Sequence, residues 1–210
     1  LEKEAPGISV RLLPLTTRDP RPLLDDGQAD MAVGYFPAVL ADLTARAQAG
    51  ALVAFDSRRL YEGEYLCVMR KGHPLAGKER IGLEDIAHEG LITYHPSFTG
   101  RGKIDQAFAT RKLQPRIVLE AIDSDVIKTY VRLGLGIGIV AEMAVRDDPV
   151  GDLVVRPVGH LFGQSVARVA FKRGAYLRNF VYRFAELLSD RLSRELIARA
   201  MTGHVNDYEL

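Results

Sequence analysis

A single cysteine, Cys67, is all the thiol chemistry this chain has, so no internal disulfide can form and a reducing cytoplasm is the expected setting. No apolar run approaches the roughly 20 residues that a membrane-spanning helix needs, so no membrane association is expected. An excess of one charge is missing too. There are 28 Lys and Arg against 27 Asp and Glu, and no run of basic residues forms a stripe. A nucleic-acid surface normally shows such a footprint, so this stretch is not expected to grip DNA itself. The opening residues, Leu1-Glu2-Lys3-Glu4-Ala5-Pro6, are charged and carry no signal-peptide core; starting without Met, they suggest a piece of something longer. Repeats and low-complexity segments are absent. The five histidines are scattered, and none is spaced with Cys, Asp or Glu as a metal site requires. Without a P-loop, a G-x-S-x-G turn or paired carboxylates, the chain is expected to be neither an enzyme nor a holder of a metal or cofactor.

Apolar material and periodicity are what the sequence does have. With 47% apolar content in 210 residues, it can bury one large core or two small ones. The clearest pattern runs from Ile117 to Val145. Ile117-Val118-Leu119 predicts a strand, and Asp123-Ser124-Asp125 supplies helix N-cap chemistry. Val126, Ile127, Tyr130 and Val131 share one helical face, and Gly134, Gly136 and Gly138 close that helix and admit a second strand, Ile137 to Ala141. Such a crossover demands parallel strands with the helix packed across them. The glycine triplet invites a nucleotide reading, but a phosphate-binding turn needs the strand before it and the helix after.

Along the rest of the chain, alternation at Ile8, Val10 and Leu12 predicts a strand over 8–15, followed by a polar turn and a short helix from Arg21 to Asp26 stopped by Gly27. Met31 to Gly34 is a short strand. Residues 38–57 show no clear period. Arg58 to Tyr61 and Glu64 to Arg70 predict a hairpin or consecutive strands around Glu62-Gly63. A small helix over Leu83 to Ala87, a strand over Leu91 to Tyr94, and a helix over Lys103 to Arg111 come next. Leu153 to Val155 and Ser165 to Phe171 read as strands. Leu177, Phe180, Val181, Phe184, Leu187 and Leu188 mark an amphipathic helix, with Asp190 to Arg199 expected to continue it. Strands and helices thus alternate in two clusters with a strand and helix left over. A two-lobed α/β protein, its chain crossing between lobes and returning, accounts for that leftover. Residues 1–78 and 163–190 are assigned to lobe 1, 79–162 to lobe 2, and 191–210 to a C-terminal helix and tail.

In such sheets ligands sit at the carboxyl ends of strands. Thr99-Gly100-Arg101-Gly102 offers a hydroxyl, small residues and a cation at a helix start, where backbone amides and the dipole attract anions. The blander reading makes Thr99 an N-cap and the glycines a turn. Thr16 and Thr17 could donate hydroxyls from the other lobe, or merely close an ST-turn. Asp123 and Asp125 would repel an anion from the next helix, so capping is the expected role there.

Three phrases make the chain similar to the effector-binding region of LysR-type transcriptional regulators: Gly27-Gln28-Ala29-Asp30-Met31-Ala32-Val33-Gly34, Arg70-Lys71-Gly72-His73-Pro74-Leu75-Ala76 and Val131-Arg132-Leu133-Gly134-Leu135-Gly136-Ile137-Gly138. The likeness covers nearly the whole chain. It implies two Rossmann-like lobes of the periplasmic-binding-protein type 2 fold with a ligand cleft between them, and a small anionic effector. It also implies DNA binding through a helix-turn-helix domain upstream of Leu1, and a homodimer or homotetramer. Thr93-Tyr94, Ser97-Phe98-Thr99-Gly100-Arg101, Pro115-Arg116-Ile117-Val118 and Asp123 to Arg132 resemble the cysteine-regulon activators, which govern sulfur assimilation. Lobe 1 departs, with Thr17-Arg18-Asp19-Pro20 where that branch has Thr-Pro-x-Gln, and with Gly34-Tyr35-Phe36-Pro37 closer to regulators answering to aromatic acids. The expected effector is therefore sulfur-related, with an aromatic acid second. Its site is assigned to Thr16, Thr17, Arg18, Tyr35, Phe36, Tyr94, His95, Ser97, Phe98, Thr99, Gly100 and Arg101. A free-standing solute-binding protein shares the architecture and is the rival reading.

Overall fold

In the computed structural model the described residues are 3, 6–13, 20–34, 55–146 and 151–201. They fall into two compact units, one formed by residues 1–61 and 166–210, the other by 62–165.

The continuous unit, 62–165, is built on a five-strand sheet. β2 (Phe55–Arg70), whose residues from 62 on belong to this unit, pairs antiparallel with β5 (Ile137–Ala141) on one side and with edge strand β6 (Leu153–Pro157) on the other. β3 (Gly90–Tyr94) runs parallel to β5 on one side and to β4 (Arg116–Ala121) on the other. The expected parallel crossover is present: β4 and β5 are joined by α4 (Ser124–Arg132) and both run parallel to β3. Period-two alternation sends β2 side chains to opposite faces. Tyr65, Cys67 and Met69 pack with α2 (Leu83–Ala87) and α3 (Thr99–Thr110) through Ile86, Ile104 and Phe108. Leu66 and Val68 pack with α4 through Ile127 and Val131. Shorter elements complete the unit: a 3₁₀ turn at Pro74–Gly77, α5 (Met143–Arg146) and α6 (Gly159–Phe162).

The discontinuous unit contains α1 (Arg21–Asp25), which ends before Gly27 at φ +67°, and β1 (Ala32–Gly34). β1 pairs antiparallel with β7 (Gln164–Lys172). α7 (Asn179–Leu188) and α8 (Arg194–Met201) follow. Val169 and Phe171 of β7 pack with Val181, Ala185, Leu192 and Ile197 in its core.

Three expectations are corrected. Residues 8–13 form no strand, and Val10 and Leu12 are exposed; alternation marks a face but needs a partner to satisfy the backbone groups. Nor is there a turn at Glu62-Gly63, because β2 runs through it. The Glu142 amide bonds the Glu64 carbonyl at 3.0 Å, extending the pairing of β2 beyond Ala141 and holding the glycine extended. Finally, the last helix does not continue α7. Ser189 is extended (φ −164°, ψ 135°), its hydroxyl accepts from the Arg191 amide, and Leu192 turns into the core before α8 begins. Local serine bonding and burial of one leucine outweigh helix continuation.

Candidate functional site

The Thr99–Gly100–Arg101 segment lies where β3 gives way to α3. β3 is buried along its length and ends at half-buried Tyr94, after which four residues turn the chain. The His95 amide bonds the Ala121 carbonyl at 2.9 Å, tying the turn to the end of β4, and the Phe98 amide bonds the His95 carbonyl at 2.9 Å. His95 Nδ1 accepts the Ser97 amide at 3.2 Å and lies 2.8 Å from the Ser97 hydroxyl. His95 is thus committed to the local turn, with its ring exposed. The Tyr94 and Phe98 rings are tilted at 39° with centroids 6.4 Å apart, a small aromatic wall beside the helix start.

α3 begins four residues earlier than its apolar period suggested. Phe98 is the N-cap, with no side-chain cap, and Thr99, Gly100 and Arg101 are the first three helical residues. Thr99 is therefore not the N-cap, and Gly100 and Gly102 sit inside the helix rather than in a turn. First-turn amides have no acceptor within their own helix except through tighter bonds. One such bond runs from the Arg101 amide to the Phe98 carbonyl at 3.1 Å. The Gly100 carbonyl accepts from the Tyr65 hydroxyl of β2 at 3.3 Å.

Arg101 is only 5% exposed. Its Nε donates to Asp105 at 2.6 Å, and its Nη1 to the Tyr94 carbonyl at 2.8 Å and to Glu120 of β4 at 2.9 Å. Burial works against its charge, yet the bonds to the two carboxylates prevail and raise its pKa above the ordinary value. The cation is thus already neutralised by protein groups, so the polar character left at the helix start comes from backbone amides.

The next helix differs, as its sequence indicated. Asp123 caps α4 by accepting the Val126 amide at 2.8 Å, and Asp125 adds a second negative charge. Lys128, buried in the same helix, donates to Asp125 at 2.9 Å and to the Ala144 carbonyl at 2.8 Å, a bracket between α4 and α5. Cys67 is fully buried; burial, with the nearby Glu89 charge, pushes its thiol up to about 12, so it packs and does not react. Among the described residues no cluster of His, Cys, Asp or Glu could hold a metal. No helix of the described chain is long and apolar enough to cross a membrane.

Of the assigned residues, Tyr94, His95, Ser97, Phe98, Thr99, Gly100 and Arg101 come together here in one strand-to-helix connection. Thr16, Thr17, Arg18, Tyr35 and Phe36 lie outside the described residues. Sequence reasoning missed an acidic concavity of about 470 Å³ lined by Glu62, Glu64, Glu142 and Gly159, among others. Glu64 accepts the Gly159 amide at 3.3 Å and Glu142 the Glu64 amide at 3.3 Å, so these carboxylates serve backbone groups. The Glu62-x-Glu64 pair was the only visible signal, since Glu142 arrives through the β2–β5 pairing.

The sequence matches the LysR substrate binding domain over residues 1–193. The chain belongs to that family. It is similar to the HTH-type transcriptional regulator CysB of Burkholderia cenocepacia, with 51% identity over 150 residues, 71% of this chain and 48% of the relative. It is also similar to the HTH-type transcriptional regulator SsuR of the same organism, 49% identical over 66% of this chain and 45% of the relative. The Escherichia coli regulator cbl is 38% identical over 92% of this chain and 58% of the relative. This LysR-family chain thus spans about half the length of the curated relatives it matches, and those relatives are transcriptional regulators, not enzymes. Among solved structures, the cofactor-binding domain of the Cbl transcriptional regulator matches at a TM-score of 0.72 and 36% identity, covering 87% of this chain and 75% of that one. The regulatory domain of Synechocystis CcmR, solved with 2-PG, also matches at 0.72, with 18% identity, 92% of this chain and 88% of that one. The fold is that of LysR effector-binding domains, a mixed α/β fold of the periplasmic-binding-protein type 2 class.

Proposed function

We propose that this LysR substrate binding domain senses a small anion at the first turn of α3, and that the anion is a sulfur oxyanion or a metabolite of sulfur and cysteine metabolism. One observation carries the reading. α3 starts without a side-chain cap, directly after a turn pinned to β4, with Gly100 at its second position and Arg101 balanced by carboxylates. Such a start offers amides and the positive dipole end to an anion without a competing carboxylate cap. The likeness to CysB, SsuR and cbl supports the sulfur class. The Tyr94–Phe98 wall supports a second reading, an aromatic acid whose ring would lie against it. Thr16, Thr17, Arg18, Tyr35 and Phe36 remain in the proposal on the strength of the sequence.

In the intact protein, a helix-turn-helix domain upstream of Leu1 would bind DNA as a homodimer or homotetramer in the cytoplasm. The effector would bias two arrangements of that assembly, with a coupling of about 1–3 kcal/mol. Calorimetric titration of sulfate, thiosulfate, O-acetylserine and salicylate into the chain tests the reading. A hydrogen bond to a charged group contributes about 1.5–3 kcal/mol, so Thr99→Ala is expected to weaken the best ligand by roughly ten- to a hundredfold. Thr99→Ser keeps the hydroxyl and most of the affinity. If Thr99→Ala binds that ligand as tightly as the parent, the site is elsewhere.

A further inference from the structure

The unusual group at this site is the buried guanidinium. Burying a charge is costly, and an ion pair inside a protein is weak evidence for stability. What the Arg101 side chain does is geometric. It holds three acceptors drawn from three elements: the Tyr94 carbonyl at the end of β3, Glu120 near the end of β4, and Asp105 one turn along α3. The β3–β4 register, with Thr93 opposite Glu120 and Tyr94 opposite Ala121, places both strand ends under the same side chain. Independent ties hold the same segment from the other directions, from the His95 amide to Ala121 and from the Tyr65 hydroxyl to the Gly100 carbonyl.

We propose that Arg101 is a positioning residue for the effector: its guanidinium fixes the first turn of α3 against the ends of β3 and β4, and so sets the spacing of the groups that receive the anion, without touching it. The inference rests on the anion reading above. It follows that the guanidinium fork, and not merely a positive charge, is required. A lysine ammonium, a compact point charge, cannot reproduce bonds made from Nε and Nη1 together. It follows too that Glu120 supports binding although it is itself an anion. Were Arg101 a direct ligand, Glu120 would compete with the effector for it.

Glu120→Ala separates the two roles. With inorganic sulfate and thiosulfate as probes in calorimetry, positioning predicts that Glu120→Ala weakens the better probe by about tenfold, the scale of one charge-assisted hydrogen bond. Glu120→Gln, which keeps an acceptor oxygen, is expected to recover most of that loss, and Arg101→Lys to lose as much as Glu120→Ala. The Glu120 side chain is 38% exposed, so the two Glu120 variants are expected to fold. Hydrogen exchange at the amides of residues 99–102 is expected to speed up in Glu120→Ala while the amides of β5 keep their protection. If sulfate or thiosulfate binds Glu120→Ala more tightly than the parent, Arg101 is a direct ligand and the inference is overturned. Unchanged affinity in both Glu120→Ala and Arg101→Lys overturns it as well and leaves the anion reading intact. If neither probe nor any other anion binds the parent chain, the anion reading falls and this inference with it.

Discussion

At the scale of single residues, the glycines after α4 are set by space and backbone angle. Gly134 has φ +83°, the left-handed conformation that ends the helix. A Cβ on Gly136 would come within 1.9 Å of the Gly90 carbonyl oxygen, and one on Gly138 within 2.5 Å of Ile127 Cγ2. Gly136→Ala forces two backbones apart and is expected to destabilise the chain by about 4 kcal/mol or more, or to prevent folding, as read by urea denaturation. Gly134→Ala carries the left-handed penalty, about 1–2 kcal/mol, and also pushes aside the flexible Arg70 side chain, whose Nη1 would lie 2.8 Å from the new Cβ. Asp123→Ala removes the α4 cap and is expected to cost about 0.5–2 kcal/mol, with Asp123→Asn close to the parent, in the same measurement. The cap and the rejection of a nucleotide role for the glycines were legible in the sequence, because both depend on neighbours in the chain. The commitment of Arg101 was not. Asp105 is a visible i+4 partner, but Glu120 reaches the guanidinium only through the parallel β3–β4 register.

At the scale of elements, sequence period located helices well where one face is buried, as in α4, and misjudged ends set by packing elsewhere. The first turn of α3 was invisible because Thr99 to Gly102 carry no apolar period. β2 was misjudged because Glu62-Gly63 resembles a turn, whereas the strand is held by pairing with strands distant in the sequence. The start of α2 gives a pH test. The Asp85 carboxylate, bonded first by Lys78 and then by the Gly82 amide, has its pKa held below the ordinary 3.8. A depressed pKa means the folded state binds the proton less readily than the unfolded state. The contribution is therefore complete above about pH 4 and disappears as pH falls through the folded-state value. Asp85→Asn is expected to be less stable than the parent at pH 7, with the difference closing toward pH 2 in thermal melts. A gap that stays constant over that range would show that charge has no part in it.

At the scale of the whole molecule, the C-terminal helices fall in one compact unit with the N-terminal residues, 1–61 and 166–210. Within unit 62–165 the sequence showed which strands exist but not that β2 lies between β5 and β6, since antiparallel partners 70 or more residues away leave no local trace. That placement between two strands makes Cys67 a stopwatch. It lies opposite Ile139 on one side and Arg156 on the other, fully buried, and it is the chain's one thiol. A water-soluble alkylating reagent can reach it only when the sheet comes apart, so the labelling rate is the free-thiol rate multiplied by the fraction of time the unit is open. For a unit of ordinary stability that slowing should be about a thousandfold or more. Any effector that binds only the closed unit should slow labelling further by the factor 1 + [L]/Kd. The buried thiol, inert in function, would then report effector affinity without a dye, a tag or a promoter.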